Sequence, residues 1–307
     1  MITTNLPSSG ALLVKRTDEP LSRHTSLRIG GPARYYLEVD SQEGLQVARV
    51  WAAEQQLPWF VLGGGTNVLI RDTGFAGVVV RYRDTTSHLT ATDDTACLYL
   101  GAGAPMAGTA RRLAGAGWAG LEWAEGLPGT LGGAVCGNAG CYGGDMAGVV
   151  QRVWLLVADA VQIWTVEQMA YAYRYSVLKT APWKGQAVVL AAEIALRRDE
   201  PQALAETMNR IAAERKSKMG VGSSCGSVFK NPTNMGQPGL SAGRLIDEAG
   251  LKGTRIGAAE ISQRHANYII NLGGASSDDV LRLIDRMRTA VVRQFGIELE
   301  LEVEIVG

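Results

Sequence analysis

Residues Leu127 to Asp145 read LPGTLGGAVCGNAGCYGGD, seven glycines in nineteen positions. Glycine lets backbone N–H groups turn outward and approach a phosphate without interference from a Cβ, so a run this dense suits a pyrophosphate cradle. A second cluster, LGGGTN from Leu62 to Asn67, follows directly on a stretch that reads as a strand, Trp59 to Leu62. For this shorter cluster alone, tight turns and a phosphate cradle are evenly matched readings. The longer cluster tips the balance toward a dinucleotide. Neither is a P-loop, since no GK[ST] follows, and neither is GxGxxG. A formal GxGxxG at Gly115, Gly117 and Gly120 follows a helical stretch and has no acidic residue about 20 positions on in a β-α-β context, so it reads as chance. What remains is a nucleotide binder outside the Rossmann class.

Around these loops the periodicity predicts a mixed α and β chain. Tyr35 to Val39 and Trp59 to Leu62 are strands flanking a helix with Ser41 as its cap and Leu45, Ala48 and Ala52 on one face, a small β-α-β unit. Val78 to Arg81 and Leu98 to Leu100 are further strands. Pro105 to Ala116 reads as a helix ending at Gly117, with Met106, Ala110 and Leu113 inward. Strands at Val149 to Val157, Val161 to Thr165 and Val188 to Leu196 complete this part. Pro201 opens a helix with Leu204, Met208 and Ile211 at helical spacing, which sets a boundary near Asp199. Beyond it come a Gly and Ser loop from Gly220 to Gly226 and a helix capped near Ser276 or Ser277 with Val280, Ile284, Met287 and Val291 inward. The last strand, Glu298 to Ile305, alternates between apolar and acidic residues, and a solvated acidic face is its ordinary reading.

Composition narrows the function classes. A chain of 307 residues with 46% apolar content can bury more than one core. Thirty basic residues balance thirty acidic ones, so no cationic field favours nucleic acid, and any ligand phosphate must be held locally. The longest apolar runs fall far short of the roughly 20 residues that span a bilayer. The start of the chain lacks a long hydrophobic signal region, so a cytoplasmic location is expected. Cys97, Cys136, Cys141 and Cys225 form neither CxxC spacing nor a His-Cys cluster, so no metal and no disulfide framework is expected.

Eight runs then carry a resemblance. They are SLRIGGPA (Ser26 to Ala33), VLGGGTNVLIRDTGFAG (Val61 to Gly77), LPGTLGGAVCGNAG (Leu127 to Gly140), YRYS (Tyr173 to Ser176), GSVFKNP (Gly226 to Pro232), AGRLIDEAGLKG (Ala242 to Gly253), HANYIIN (His265 to Asn271) and LELEV (Leu299 to Val303). In this order they resemble the UDP-N-acetylenolpyruvoylglucosamine reductases, over about residues 25 to 307. The resemblance implies an α+β fold: a two-part FAD-binding domain of the vanillyl-alcohol-oxidase (PCMH) type plus a C-terminal α/β substrate-binding domain. The expected division is a leader over 1–25, the FAD-binding domain over 26–198 with two subdomains split near 82, and a substrate-binding and catalytic domain over 199–307. Bound FAD, NADPH as co-substrate, a UDP-sugar substrate and a monomeric state are implied with it. So is a place in the synthesis of the cell-wall peptidoglycan.

The same resemblance assigns residues. Leu62, Gly63, Gly64, Gly65, Thr66 and Asn67 of the first cluster are expected to hold FAD. From the second cluster come Leu127, Pro128, Gly129, Thr130, Gly132, Gly133, Ala134, Gly137, Asn138 and Ala139. Arg174 and Glu302 would stabilise charge developing on the substrate, Glu302 only if protonated or hydrogen-bonded, and Ser227 would donate a proton. Tyr173, Lys230, Asn231 and His265 would contact the substrate. The family usually has a Gln-Pro pair before its serine motif, where this chain reads KSKMGVGSSCGS from Lys216 to Ser227. The spacing from Arg174 to Ser227 resembles the family's variant that lacks an extra substrate-covering loop. Two other readings compete: an oxygen-using FAD oxidase of the same fold, and a nucleotide-sugar binder without flavin.

Overall fold

The computed structural model of the protein describes residues 13–218, 222–232 and 240–307. Residues 1–12 of the expected leader, and residues 220–221 of the Gly and Ser loop, lie outside the described residues. The chain forms two compact units. The first takes the described residues up to Thr17, then Tyr35–Gly64 and Gly77–Lys216; the second takes Asp18–Arg34, Gly65–Ala76 and Ser217–Gly307.

Among the described residues the first unit contains two large sheets and a two-stranded one that pairs Gly140–Cys141 with Gly144–Asp145. One large sheet has the order Val14–Pro20, Pro32–Val39, Phe75–Tyr82, Trp59–Leu62, the last two running parallel. Helix α1 (Gln42–Glu54) starts where the Ser41 hydroxyl accepts from the Gly44 N–H at 3.2 Å, and it buries Leu45, Ala48, Trp51 and Ala52. The strands flanking α1 in sequence are not neighbours, because Phe75–Tyr82 inserts between them. The second sheet is six-stranded and antiparallel, in the order Ala160–Thr165, Val150–Val157, Ala187–Arg198, Thr95–Gly101, Ser87–Ala91, with Trp118–Ala119 on the end of the central strand. Val188 to Ala192 are all buried, so this strand reads as a continuous apolar run and not as an alternation.

Helix α2 (Met106–Gly115) buries Met106, Ala110 and Leu113, and α3 (Leu131–Gly137) packs on the central strand. Helix α4 (Val166–Met169) carries a capping box between Thr165 and Gln168. Helix α5 (Pro201–Lys218) adds Leu204 and Met208 to the first unit's core, so the unit continues past the position near Asp199 where the linear reading divides the chain.

The second unit is assembled from three stretches far apart in sequence. Leu27, Ile29 and Leu69 enter one core with Val228, Phe229, Leu245, Ile261 and the inner face of α7 (Ser277–Phe295), which follows α6 (Ala242–Glu248). A three-stranded sheet, Arg255–Ile256, Ala259–Ile261 and Ile269–Asn271, covers that core. Ser276 caps α7 in a capping box with Asp279, and Val280, Ile284, Met287 and Val291 face inward as their spacing predicts. The Asp72 carboxylate accepts from the Ser277 N–H at 2.8 Å and from its hydroxyl at 2.9 Å, tying the 65–76 stretch to the start of α7.

The last segment differs from its expected regular strand over Glu298 to Ile305. Only Glu304–Val306 is regular, paired in parallel with Val68–Ile70. Upstream, the Lys230 N–H donates to the Glu300 carbonyl at 2.9 Å, and Phe229 lies opposite Leu301. The segment changes hydrogen-bonding partner between these two pairings, and the alternation breaks there. Glu298 and Glu300 are exposed, whereas Leu301 and Glu302 are both half-buried.

Packing in the second glycine run is tight enough to test. A Cβ at Gly144 falls 2.3 Å from Cδ1 of buried Trp123, whereas one at Gly115, inside α2, meets nothing within 4 Å. Gly144→Ala is expected to cost about 1–3 kcal/mol by overpacking. Gly115→Ala is expected to be neutral or to stabilise by up to about 1 kcal/mol. Chemical denaturation midpoints separate the two variants; equal midpoints contradict this packing.

Candidate active site

Within the first unit the two glycine runs approach each other at Gly63 and Thr130. A Cβ on Gly63 would lie 2.9 Å from the Thr130 hydroxyl oxygen. Thr130 precedes α3 without making a side-chain capping bond, so its hydroxyl remains available. Gly133 and Gly137 face open space where a side chain would otherwise project. Not every member of the run offers a donor: the Gly132 N–H goes to the Ala102 carbonyl at 2.9 Å and the Ala134 N–H to the Thr130 carbonyl at 3.0 Å. Asn138 is committed elsewhere as well. Its side chain, 3% exposed, donates to the Ala172 carbonyl at 2.9 Å and accepts from the Ala147 N–H at 2.9 Å. The first run divides after Gly64, and Gly65, Thr66 and Asn67 belong to the second unit, where the Ser26 N–H donates to the Gly65 carbonyl at 2.9 Å.

Tyr173 and Arg174 form the tip of a tight hairpin. Ala172 and Tyr175 exchange backbone hydrogen bonds of 3.1 and 3.0 Å on either side of them. Arg174 sits at φ +54°, the left-handed region, at a turn position that ordinarily takes glycine or asparagine. Such a conformation costs of order 1–3 kcal/mol and collects at functional sites. The Arg174 guanidinium carbon lies 5.3 Å from the centre of the Tyr173 ring, itself 43% exposed. A cation–π contact of this kind holds the charge over the turn.

In the second unit Ser227 and Glu302 occupy adjoining backbone. The Glu302 N–H donates at 2.9 Å to the carbonyl of Val228, the residue after Ser227. Asn67, at the end of the first glycine run, donates its amide to the Glu302 carbonyl at 3.0 Å, and its own carbonyl accepts from the Glu304 N–H at 3.0 Å. Among the described residues the half-buried Ser227 hydroxyl has no hydrogen-bond partner. The serine motif is held by buried Asn267, whose side chain accepts from the Phe229 N–H at 3.0 Å and donates to the Phe229 carbonyl at 2.8 Å. Asn267 stands inside the run HANYIIN, where the resemblance assigns it no role. A polar residue between the buried Ala266 and Ile269 was the available signal.

The proposed substrate neighbours are more occupied than their sequence suggests. Lys230 forms an ion pair with Glu300. The Asn231 side chain accepts from the Ala242 N–H at 3.1 Å at the start of α6. His265 stacks 4.5 Å from the Tyr268 ring centre, and its Nδ1 accepts from the Asn267 N–H at 3.3 Å. Burial holds the His265 pKa below the ordinary imidazole value, helped by Lys252 and Lys218, so the ring is neutral near pH 7.

The cysteines are subdued by burial. Cys225 is pushed up to about 12 and Cys97 is raised. Cys141 is raised by burial against the opposing pull of Arg215 and Arg174, and its thiol donates to the Trp123 carbonyl at 2.9 Å. The thiolate is the reactive form, so these three sites are poor nucleophiles.

An FAD binding domain family matches residues 33–164, and the C-terminal domain family of UDP-N-acetylenolpyruvoylglucosamine reductase matches residues 216–306. A UDP-N-acetylenolpyruvoylglucosamine reductase of Chloroflexus aggregans is 54% identical over 293 residues, covering 95% of this chain and 97% of that protein. The chain belongs to this reductase family. A relative from Synechococcus elongatus with the same name is 40% identical over 94% of this chain and 93% of its own. The crystal structure of the UDP-N-acetylenolpyruvylglucosamine reductase (MurB) from Thermus caldophilus superposes with a TM-score of 0.79 at 34% identity, covering 96% of this chain and 98% of that one. The fold is therefore the expected FAD-binding domain joined to the reductase C-terminal domain, and the protein is an FAD-dependent oxidoreductase. The glycine runs fit such a cofactor. At Gly63 only a residue without a side chain allows the close approach to Thr130, and beside Gly133 and Gly137 there is unfilled space that such a group could occupy.

Gly63→Ala, which drives a methyl toward the Thr130 hydroxyl, is expected to weaken flavin binding about tenfold or more, equivalent to about 1.4 kcal/mol. Flavin released on titrating down the purified protein measures it, and unchanged affinity removes Gly63 from the cradle. For His265 the sign follows from its lowered folded pKa. Its neutral form contributes stability that is full above the unfolded value of about 6.5 and is lost as pH falls through the folded value. Wild type should therefore lose stability on acidification faster than His265→Gln, read from denaturation midpoints across pH; parallel curves contradict the assignment.

Proposed function

We propose that the protein reduces the enolpyruvyl ether of UDP-N-acetylglucosamine enolpyruvate to UDP-N-acetylmuramate, a step of peptidoglycan precursor synthesis, with NADPH as hydride donor, in the cytoplasm. Family membership over nearly the whole chain supports the reaction class. The observation that carries the reading to residues is the Glu302 N–H donating to Val228 beside Ser227. The Glu302 carboxyl and the Ser227 hydroxyl, the latter with no hydrogen-bond partner among the described residues, are thereby held on adjoining backbone.

When bound, FAD supplies a hydride, taken from NADPH, to C3 of the vinyl ether. Negative charge then spreads over C2 and the neighbouring carboxylate, and it must be stabilised before C2 takes a proton. The Arg174 guanidinium, preset at its turn, meets that charge. Glu302 contributes through a hydrogen bond in its protonated form. Ser227 delivers the proton to C2 from its hydroxyl, a weak acid that acts only at close range. Lys230 and Asn231 contact the sugar and its phosphates, Lys230 by exchanging Glu300 for phosphate oxygen, and Tyr173 and His265 are further substrate contacts. Nicotinamide and sugar use one pocket in turn, so the kinetics are ping-pong.

Anaerobic addition of NADPH to purified protein should bleach the flavin band, and the enolpyruvyl UDP-sugar should restore it. Ser227→Ala should still be bleached by NADPH but recover at least about a hundredfold more slowly, the usual weight of a positioned proton donor. Recovery at the wild-type rate removes Ser227 from that role, and failure of the sugar to restore the wild-type band removes the reaction.

A further inference from the structure

The turn that carries Arg174 is held from three sides by residues of its own unit. Ser176, fully buried, donates its hydroxyl to the Cys136 carbonyl at 2.6 Å. The Asn138 side chain donates to the Ala172 carbonyl at 2.9 Å, at the opposite leg of the hairpin. The Lys179 ammonium donates to the Arg174 carbonyl itself at 3.2 Å. Cys136 lies in α3 and Asn138 is its left-handed cap at φ +43°, so two of the three bonds fasten the hairpin to the second glycine run.

A left-handed arginine relaxes to an ordinary backbone conformation unless its surroundings over-determine it. Two of the three groups that do so here carry no charge of their own toward a substrate, and the third, the Lys179 ammonium, is directed at the Arg174 carbonyl. Ser176 points at a carbonyl, and Asn138 spends its carboxamide on Ala172 and Ala147. We propose that Ser176, with Asn138 and Lys179, is a positioning residue: it keeps the Arg174 turn registered to the glycine-rich run so that the guanidinium is preset for the anionic charge of the reduced substrate. This rests on the reductase reading and adds to it. It also reassigns Asn138 from direct cofactor contact to support of the turn.

The test uses holoenzyme whose flavin has been reduced with dithionite, which makes the result independent of the nicotinamide donor. Mixing with the enolpyruvyl UDP-sugar in a stopped-flow cell reports flavin reoxidation for wild type, Ser176→Ala, Arg174→Ala and the double variant. Ser176→Ala is expected to keep its flavin and to lower the limiting rate about tenfold with little change in the half-saturating sugar concentration. In the Arg174→Ala background the same substitution should cost less than about twofold, because the group it positions is gone. A wild-type rate in Ser176→Ala, or a full tenfold loss in both backgrounds, overturns the positioning role. Should Ser176→Ala lose its flavin, Lys179→Met is carried through the same cycle, and additivity there overturns it equally. Wild-type enzyme that the sugar fails to reoxidise overturns the reductase reading and this inference with it; every other negative result falls on the positioning role alone.

Discussion

Asn267 gives both polar ends of its side chain to a single residue. Its carboxamide oxygen accepts from the Phe229 N–H, and its NH2 donates to the Phe229 carbonyl, at 3.0 and 2.8 Å in a site 3% exposed. A side chain thus stands in for a neighbouring strand. The residues proposed to react sit on irregular backbone, and irregular backbone that is buried must still pair its amides and carbonyls. This protein meets that constraint repeatedly with asparagine. Asn138 does it for the Arg174 hairpin, Asn67 for the backbone of Glu302, and Asn271 for Leu27, whose carbonyl accepts from it at 3.0 Å. Carboxamides suit this work because each presents a donor and an acceptor in one plane, as a peptide unit does.

The acidic C-terminal segment shows how such pairing separates one residue from its look-alikes. Glu298, Glu300, Glu302 and Glu304 follow an even spacing that would place all four on one face of a regular strand. The segment instead pairs first with Phe229 and Lys230 and then with Val68 to Ile70. Glu298 and Glu300 remain in solvent, and Glu300 neutralises Lys230 there. Glu302 falls at the break, half-buried.

A comparable economy governs the glycines. Gly144 is needed because a buried tryptophan occupies the space of its Cβ, whereas Gly133 and Gly137 face open volume. Composition alone treats the three alike. The first kind permits close packing of the loop, and the second kind leaves space beside the backbone.

The sequence by itself determined the elements and the family. Helix caps at Ser41 and Ser276, the inward faces of α1, α2 and α7, and the strand at Trp59 to Leu62 follow from local periodicity and capping chemistry, which act over a few residues. The motif order carried the FAD-binding and reductase assignments. Tertiary structure alone decided which distant stretches share a core. Leu27 and Leu69 pack with Val228 and α7, and Phe75–Tyr82 inserts between strands that precede it, because burial rewards any complementary apolar surface regardless of its distance along the chain. It also decided the left-handed backbone of Arg174 and the break at Glu302. Both depend on hydrogen bonds to residues dozens to hundreds of positions away, which no local pattern encodes.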